Sequence, residues 1–321
     1  MAMKTIGNSD LATPPLVLGG NVFGWNATGA EAFAILDRFA EAGGTLIDTA
    51  DVYSAWVPGH KGGESESLIG EWLKRRGGQK GVRIATKVGM LPWGDEPKLG
   101  AARIAQAAEA SLKRLGIEAI DLYYAHQDDP GTPLAETLGA FDRLVREGKV
   151  RTLGASNYSA ERLAEALDIS ERDGLARYEA LQNEYNMVSR SKYDGALQAL
   201  CVARNVSVLP FYGLANGFLT GKYRSAADKG KSLRGARMDA YLNPRGFAVL
   251  DALDAAAAET GATPAQVALA WLAAQPGIVA PIASATKVEQ IEELLGVLTL
   301  ELSADQLARL SAASAEPVQP A

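Results

Sequence analysis

In the stretch TLIDTADVYS, Thr45 to Ser54, two carboxylates, Asp48 and Asp51, and a phenol, Tyr53, follow directly on a short apolar run. A carboxylate beside apolar surface is costly unless it is paired. The chain supplies a cation in VRIATKV, where Lys87 lies near the end of a second apolar run. It supplies an imidazole, His126, directly after a third, AIDLYYA. If adjacent strands bring Asp48, Lys87 and His126 together, Lys87 is the partner that Asp48 needs. A buried ion pair is weak evidence for stability, so keeping one points to use. An isolated phenol has a pKa of about 10, and a nearby ammonium lowers it. Tyr53 beside Lys87 would therefore donate a proton to a carbonyl oxygen as a nucleophile attacks the carbon, with His126 orienting the same oxygen. Nothing in such a cluster is a reductant, so the electrons must come from a cofactor.

The elements that must position these groups are short apolar runs alternating with amphipathic stretches. The runs are LVLG (16–19), TLID (45–48), VRIATKV (82–88), AIDLYYA (119–125), KVRTLGA (149–155), YEALQ (178–182), VSVLPF (206–211) and IVAPIA (278–283). They are rich in Val, Ile and Leu without strict alternation, as strands buried on both faces are. Helical spacing of apolar residues follows them near 31–42, 65–76, 104–115, 134–145, 160 onward, 192–204 and 287–295. Eight strand–helix units at this spacing predict a closed (β/α)8 barrel, one domain over residues 1–321. The extras are a polar N-terminal segment before Pro14, a Gly/Arg-rich loop from Gly213 to Arg245, and two added helices, over 246–260 and 305–313. A doubly wound open sheet would need a GxGxxG turn after its first strand, and GGNVFG (19–24) lacks that spacing.

In such a barrel, chemistry sits at the C-terminal strand ends. There the chain places Asp48, Lys87, His126, Ser156 with Asn157, Gln182, Phe211 with Tyr212, and Ser284, on seven successive strands. Composition narrows the alternatives. The net charge of −6, with no Lys/Arg tract, argues against nucleic-acid binding. One cysteine and two histidines offer no disulfide and no Cys- or His-rich metal centre. The most apolar region, 267–285, is interrupted by Gln275, Pro276 and Pro281 and does not read as a membrane span. No signal-peptide pattern opens the chain, so a cytoplasmic protein is expected. It is expected to be a monomer or small homo-oligomer.

The residues resemble the aldo-keto reductases over nearly the whole chain. The resemblance is carried by IDTADVY with GGESESLIG (62–70), LKRLGIEAIDLYYAHQDD (112–129), REGKVRTLGASNY (146–158), GFLTGKY (217–223) and ATKVEQIEELLG (285–296). It implies that Asp48, Tyr53, Lys87 and His126 form a catalytic tetrad with Tyr53 as the acid. It also implies a nicotinamide cofactor, NADPH in preference to NADH, across the barrel mouth. Implied cofactor contacts are Gly20, Asn21 and Asp48, with Ser156, Asn157 and Gln182 around the carboxamide and ring. Phe211 takes the place of the stacking aromatic, followed by Tyr212. Leu214, Asn216, Gly217 and Lys222 fall in the pyrophosphate segment, and Ser284, Thr286, Lys287, Gln290 and Glu293 at the adenosine end. Lys287 with two hydroxyls suits a 2′-phosphate. Tyr212-Gly213 departs from the small-residue-plus-proline pair common there, and Leu294 stands where many members have Asn. The segment 54–63 is longer and more apolar than the family's link. Its Trp56 and His60, with Phe23, Trp25 and Trp93, are candidates for bordering a carbonyl or alcohol substrate.

Two other readings are open. A barrel-strand lysine can form Schiff bases, although pairing Lys87 with Asp48 would keep it protonated. The same fold can also serve as a non-catalytic nicotinamide-binding or channel-associated subunit. The complete tetrad and the absence of an N-terminal extension weigh against that role.

Overall fold

In the computed structural model, residues 3–92, 98–231 and 235–316 are described. The barrel strands are β3 (Val17–Gly19), β4 (Leu46–Asp48), β5 (Arg83–Val88), β6 (Ile120–Ala125), β7 (Val150–Ser156), β8 (Tyr178–Gln182), β9 (Ser207–Val208) and β10 (Ile282–Ala283). They form one sheet in the order β10-β3-β4-β5-β6-β7-β8-β9, and every ladder is parallel. Its two ends meet. Val208 bridges Ile278, Val279 donates to the Val208 carbonyl at 2.9 Å, and Ile282 donates to the Pro210 carbonyl at 2.9 Å. The expected (β/α)8 barrel is present. The last two strands are shorter than the runs 206–211 and 278–283 suggested. Pro210 and Pro281 carry no N–H, so the ladder is interrupted there.

Helices α1 (Gly29–Glu41), α2 (Glu64–Arg76), α3 (Ala101–Leu115), α4 (Leu134–Arg146), α5 (Ala160–Asp173), α6 (Ala196–Ala203), α8 (Pro264–Ala273) and α9 (Val288–Leu295) surround the sheet. The two added helices, α7 (Pro244–Thr260) and α10 (Ala304–Ala313), pack on each other. The sequence marks several of these boundaries. The Ser159 hydroxyl caps α5 by accepting from the Arg162 N–H, and a Thr263–Gln266 capping box opens α8. Helix α6 begins four residues later than the pattern from Lys192 suggested. Gly195 sits at φ 96°, and Arg190 is ion-paired to Asp194 across the preceding turn. Among the described residues, the long loop after β9 contains three 3-10 turns, Ala215–Thr220, Ala226–Lys231 and Gly235–Ala240.

The N-terminal segment differs from the expectation of a merely polar lead-in. It forms a hairpin, β1 (Lys4–Thr5) against β2 (Ala12–Thr13). Ile6 and Leu11 from this hairpin join Val17, Leu46, Ala85, Leu122, Tyr124, Ala180 and Leu209 in the apolar cluster inside the barrel. A second, larger cluster lies between sheet and helices and takes Leu18, Ile47, Ile84, Tyr123, Ala125, Leu153 and Leu181. The period of two along each strand thus sorts residues into lumen and outer wall. In the lumen, Gly154 lies under the Tyr124 ring, and a Cβ there would stand 2.4 Å from Tyr124 Cε1. Gly154→Ala is expected to destabilise the fold by about 1–3 kcal/mol through overpacking, read from the urea midpoint. An unchanged midpoint would show that the ring has room to move.

Candidate active site

The same alternation places the polar groups. Leu46, Ala85 and Ala180 point into the lumen, so Asp48, Lys87 and Gln182, two residues further on, point inward one layer higher. Tyr124 likewise precedes His126 by two. Ladder register puts Lys87 opposite Tyr124 and Ser156 opposite Gln182. Asp48, Lys87, His126, Ser156 and Gln182 are all buried at the C-terminal end of the barrel.

Lys87 Nζ is the hub of this layer. It donates to Asp48 Oδ2 at 2.7 Å and to the Thr49 carbonyl at 2.6 Å, and it lies 3.3 Å from Tyr53 Oη. Side chains pointing apart would have excluded the proposed acid chemistry; instead the three groups touch. The second Asp48 oxygen accepts from Gln182 Nε2 at 2.9 Å. That bond fixes the amide's orientation, because a carboxylate offers only acceptors. Tyr53 meets the His126 ring edge-on, with centroids 5.9 Å apart. The four residues Asp48, Tyr53, Lys87 and His126 therefore form one cluster.

The electrostatics correct one expectation. The Tyr53 phenol lies above its ordinary pKa, not below it. Burial is the main cause; the Lys87 charge pulls down, and the Asp48 carboxylate pushes back up. Asp48 opposes the field of Lys87, and with burial dominant Tyr53 is held as the protonated phenol at neutral pH. For Lys87, burial opposes the charge, but Asp48 and the Tyr53 oxygen outweigh it and raise the ammonium above its usual range. A permanently protonated amine is a poor Schiff-base nucleophile. Burial, reinforced by the Lys87 charge, holds His126 well below the normal imidazole range. A neutral ring is a hydrogen-bond donor rather than a proton source. Its Nδ1 is buried and without a partner among the described residues.

Around the cluster, the other candidates fall on one continuous rim. Asn157, at φ 58°, donates to the His126 carbonyl at 2.9 Å and to Ser156 Oγ at 3.1 Å. The Gly20 N–H donates to the Asp48 carbonyl, and Ser284 Oγ donates to Asn21 Oδ1 at 2.7 Å. Phe211 is partly buried beside the 39% exposed Tyr212. Tyr212, Ala215, Asn216 and Gly217 all adopt positive φ, at 55°, 46°, 57° and 93°. Within this turn the Ala215 N–H donates to the Tyr212 carbonyl and the Gly217 N–H to the Leu214 carbonyl. Arg237 donates to Asn216 Oδ1, and Lys222 is exposed nearby. Leu214 is partly buried in the same turn. Lys287 is exposed as the N-cap of α9, where Thr286 donates to Gln290 Oε1. Glu293 uses its main-chain carbonyl to accept from Gln266. Polar groups at the lumen end, a turn flanked by Lys222 and Arg237, and a cationic helix start at Lys287 suit an extended pyrophosphate-linked dinucleotide.

The substrate-side candidates divide. Phe23 is completely buried in the outer core and has no surface to offer a substrate. Trp25 meets Trp56 edge-on at 6.0 Å, and Trp56, 50% exposed, meets Tyr53 at 5.7 Å. Trp93 lies outside the described residues. His60 Nδ1 hydrogen-bonds Ser54 Oγ at 2.8 Å. Two supporting residues were not singled out from the sequence. Glu64 accepts from the N–H groups of Ser54, Lys61 and Gly62 and so ties down the loop 54–62. Arg103 pairs with Asp51 at 3.2 Å from a buried position on α3. An arginine beside Ile104, on a helix face read as apolar, was the one available sign of it.

Comparison with known proteins agrees with this geometry. A model described as "Aldo/keto reductase family" matches residues 15–315. "Aldo-keto reductase str7" of Strobilurus tenacellus is 34% identical over 87% of this chain and 79% of its own. "Aldo-keto reductase yakc [NADP(+)]" of Schizosaccharomyces pombe is 32% identical over 84% of this chain and 78% of its own. A "probable voltage-gated potassium channel subunit beta" of Arabidopsis thaliana is 31% identical over 91% and 90%. With the barrel closed and these polar residues gathered at its C-terminal mouth, the chain belongs to the aldo/keto reductase family.

Proposed function

We propose that the protein is an NADPH-dependent carbonyl reductase, converting an aldehyde or ketone to an alcohol, reversibly. The observation that carries this reading is the contact of Lys87 Nζ with both Asp48 and Tyr53 Oη, with a neutral imidazole beside the phenol. A bound nicotinamide supplies the hydride. The residues of this chain do the rest. His126 donates a hydrogen bond to the carbonyl oxygen and orients it. Tyr53 then gives its proton to that oxygen as negative charge develops there. Lys87 stabilises the phenolate left behind, and Asp48 keeps Lys87 charged and in place. Ser156, Asn157 and Gln182 hold the carboxamide end, and Phe211 offers a ring face. The turn 212–217 with Lys222 receives the pyrophosphate, and Lys287 with Thr286 a 2′-phosphate. The edge-to-face chain of Trp25, Trp56 and Tyr53 gives the carbonyl's substituent an apolar wall.

The potassium-channel subunit named among the relatives supports a second reading, a nicotinamide-binding regulatory subunit. Turnover separates the two: tight NADPH binding without oxidation of the cofactor by any of a panel of aldehydes and ketones would favour the second.

Tyr53→Phe is expected to lower kcat by about 10²–10⁴-fold while the NADPH dissociation constant, read by fluorescence quenching, stays within about threefold. Wild-type turnover in this variant would strip Tyr53 of its role. Lys287→Met is expected to weaken NADPH about tenfold, roughly 1.4 kcal/mol, with NADH affinity unchanged. Equal loss for both cofactors would move the 2′-phosphate elsewhere. The raised Tyr53 pKa fixes a pH sign. Reduction uses the protonated phenol, present at all pH below its pKa; oxidation uses the phenolate, present above it. Alcohol oxidation is therefore expected to keep rising into the alkaline range while carbonyl reduction falls there. An oxidation rate already level at neutral pH would contradict the direction of the shift.

A further inference from the structure

Behind the barrel wall from the tetrad lies a second buried set of charges with no part in the mechanism above. Thr86 precedes Lys87 on β5 and faces outward, donating to Glu66 Oε1 of α2 at 2.6 Å. Glu66 is paired with Arg114 of α3 at 2.6 Å. One helical stretch away, Arg103 of α3 reaches Asp51 at 3.2 Å and the Leu91 carbonyl at 3.4 Å. Asp51 and Arg103 side chains are both almost wholly buried. Asp51 lies two residues before Tyr53, in the turn that leaves β4. Its N–H donates to the carbonyl of Lys87, and the Tyr53 N–H donates to the Ala50 carbonyl. From this turn one side chain, Asp51, goes outward to α3, and another, Tyr53, goes inward to Lys87. Arg103 also holds Leu91 and so fastens together the segments leaving β4 and β5.

We propose that Asp51, anchored by Arg103, is a positioning residue for Tyr53, setting the turn so that the phenol rests against Lys87. The inference rests on the role of Tyr53 proposed above. The charges facing Asp51 are Glu66 of α2 and Arg103 and Arg114 of α3, with the Tyr123 phenol of β6 alongside. Burial first, then repulsion from Glu66, push the Asp51 carboxyl up to about 7, against the pull of Arg103, Arg114 and the Val52 N–H. The folded chain thus binds this proton more tightly than the unfolded chain does. Asp51 adds stability below the ordinary carboxylate range and loses that contribution as pH rises through about 7. The turn that carries Tyr53 is thus tied to α3 through Arg103 and to β5 through the Asp51 N–H.

The test compares Asp51→Asn with the doubly neutral Asp51→Asn/Arg103→Met. The readouts are kcat, the NADPH dissociation constant, and the Tyr53 titration followed by NMR of 13C-labelled tyrosine, assigned with Tyr53→Phe. Asp51→Asn is expected to lower kcat about 10- to 100-fold, the scale of a misplaced reacting group, with NADPH affinity within about threefold. The Tyr53 midpoint moves up as the phenol leaves Lys87. The double variant is expected to stay as low, and it decides the matter alone if the single variant fails to fold. Wild-type kcat and titration in Asp51→Asn overturn the proposal. So does their recovery in the double variant, which would trace the loss to a stranded Arg103 charge. If the unaltered protein reduces no carbonyl, the proposed function fails, while the shift of the Tyr53 titration still decides this inference.

Discussion

The hydrogen bonds from Lys87 to Asp48 and the Thr49 carbonyl, with the Tyr53 oxygen alongside, are the constraint on which the rest of the mouth depends. An ammonium with no exposure is tolerated only when its donors are used. Using them fixes the relative positions of β4, β5 and the turn beyond β4. Asp48 then hands its other oxygen to Gln182 across the lumen, so one charge pair joins the second strand of the barrel to the sixth. Replacing such a pair by apolar groups is often no worse for stability, and the contact with a phenol supplies a reason for its retention.

The same arrangement sets the acid's strength. Seen from Tyr53, the dry surroundings weigh most and raise the pKa, the ammonium opposes them, and the carboxylate opposes the ammonium. The result is a phenol that keeps its proton until a partner with developing negative charge arrives. His126 is governed by the same two influences, dryness and the Lys87 charge, but there they act together and keep the ring neutral. Two groups that could compete as acids are thereby given different tasks by one cation.

Much of this was legible in the sequence because each apolar run ends at the same rim, where a polar residue follows it. Asp48, Lys87 and Gln182 stand at or next to the ends of their runs, and the structure adds that Leu46, Ala85 and Ala180, two residues earlier, face the lumen on the same side. The sign of the Tyr53 shift was not legible. It depends on the balance between dryness and two opposite charges a few ångströms away, and spacing along the chain carries no such distances. Phe23 was not legible for a related reason: an aromatic in the turn after a strand looks the same in sequence whether it faces the mouth or packs into the wall. The hairpin at 4–13 was hidden because only Ile6 and Leu11 mark its buried face, too few to show a period. The Asp51–Arg103 contact joins residues 52 positions apart on different kinds of element.

Glu64 has an implication of its own. It gathers the N–H groups of Ser54, Lys61 and Gly62 onto one carboxylate, and although partial burial pushes the group up, bonds from Lys61, its own N–H and Ser54, with His60 nearby, hold it below its usual carboxylate range. The residues between them, Trp56 included, therefore ride on a frame stitched at both ends by a single side chain. Such a frame lets evolution, or an engineer, exchange the tips that greet an incoming molecule without redrawing the path of the chain beneath them.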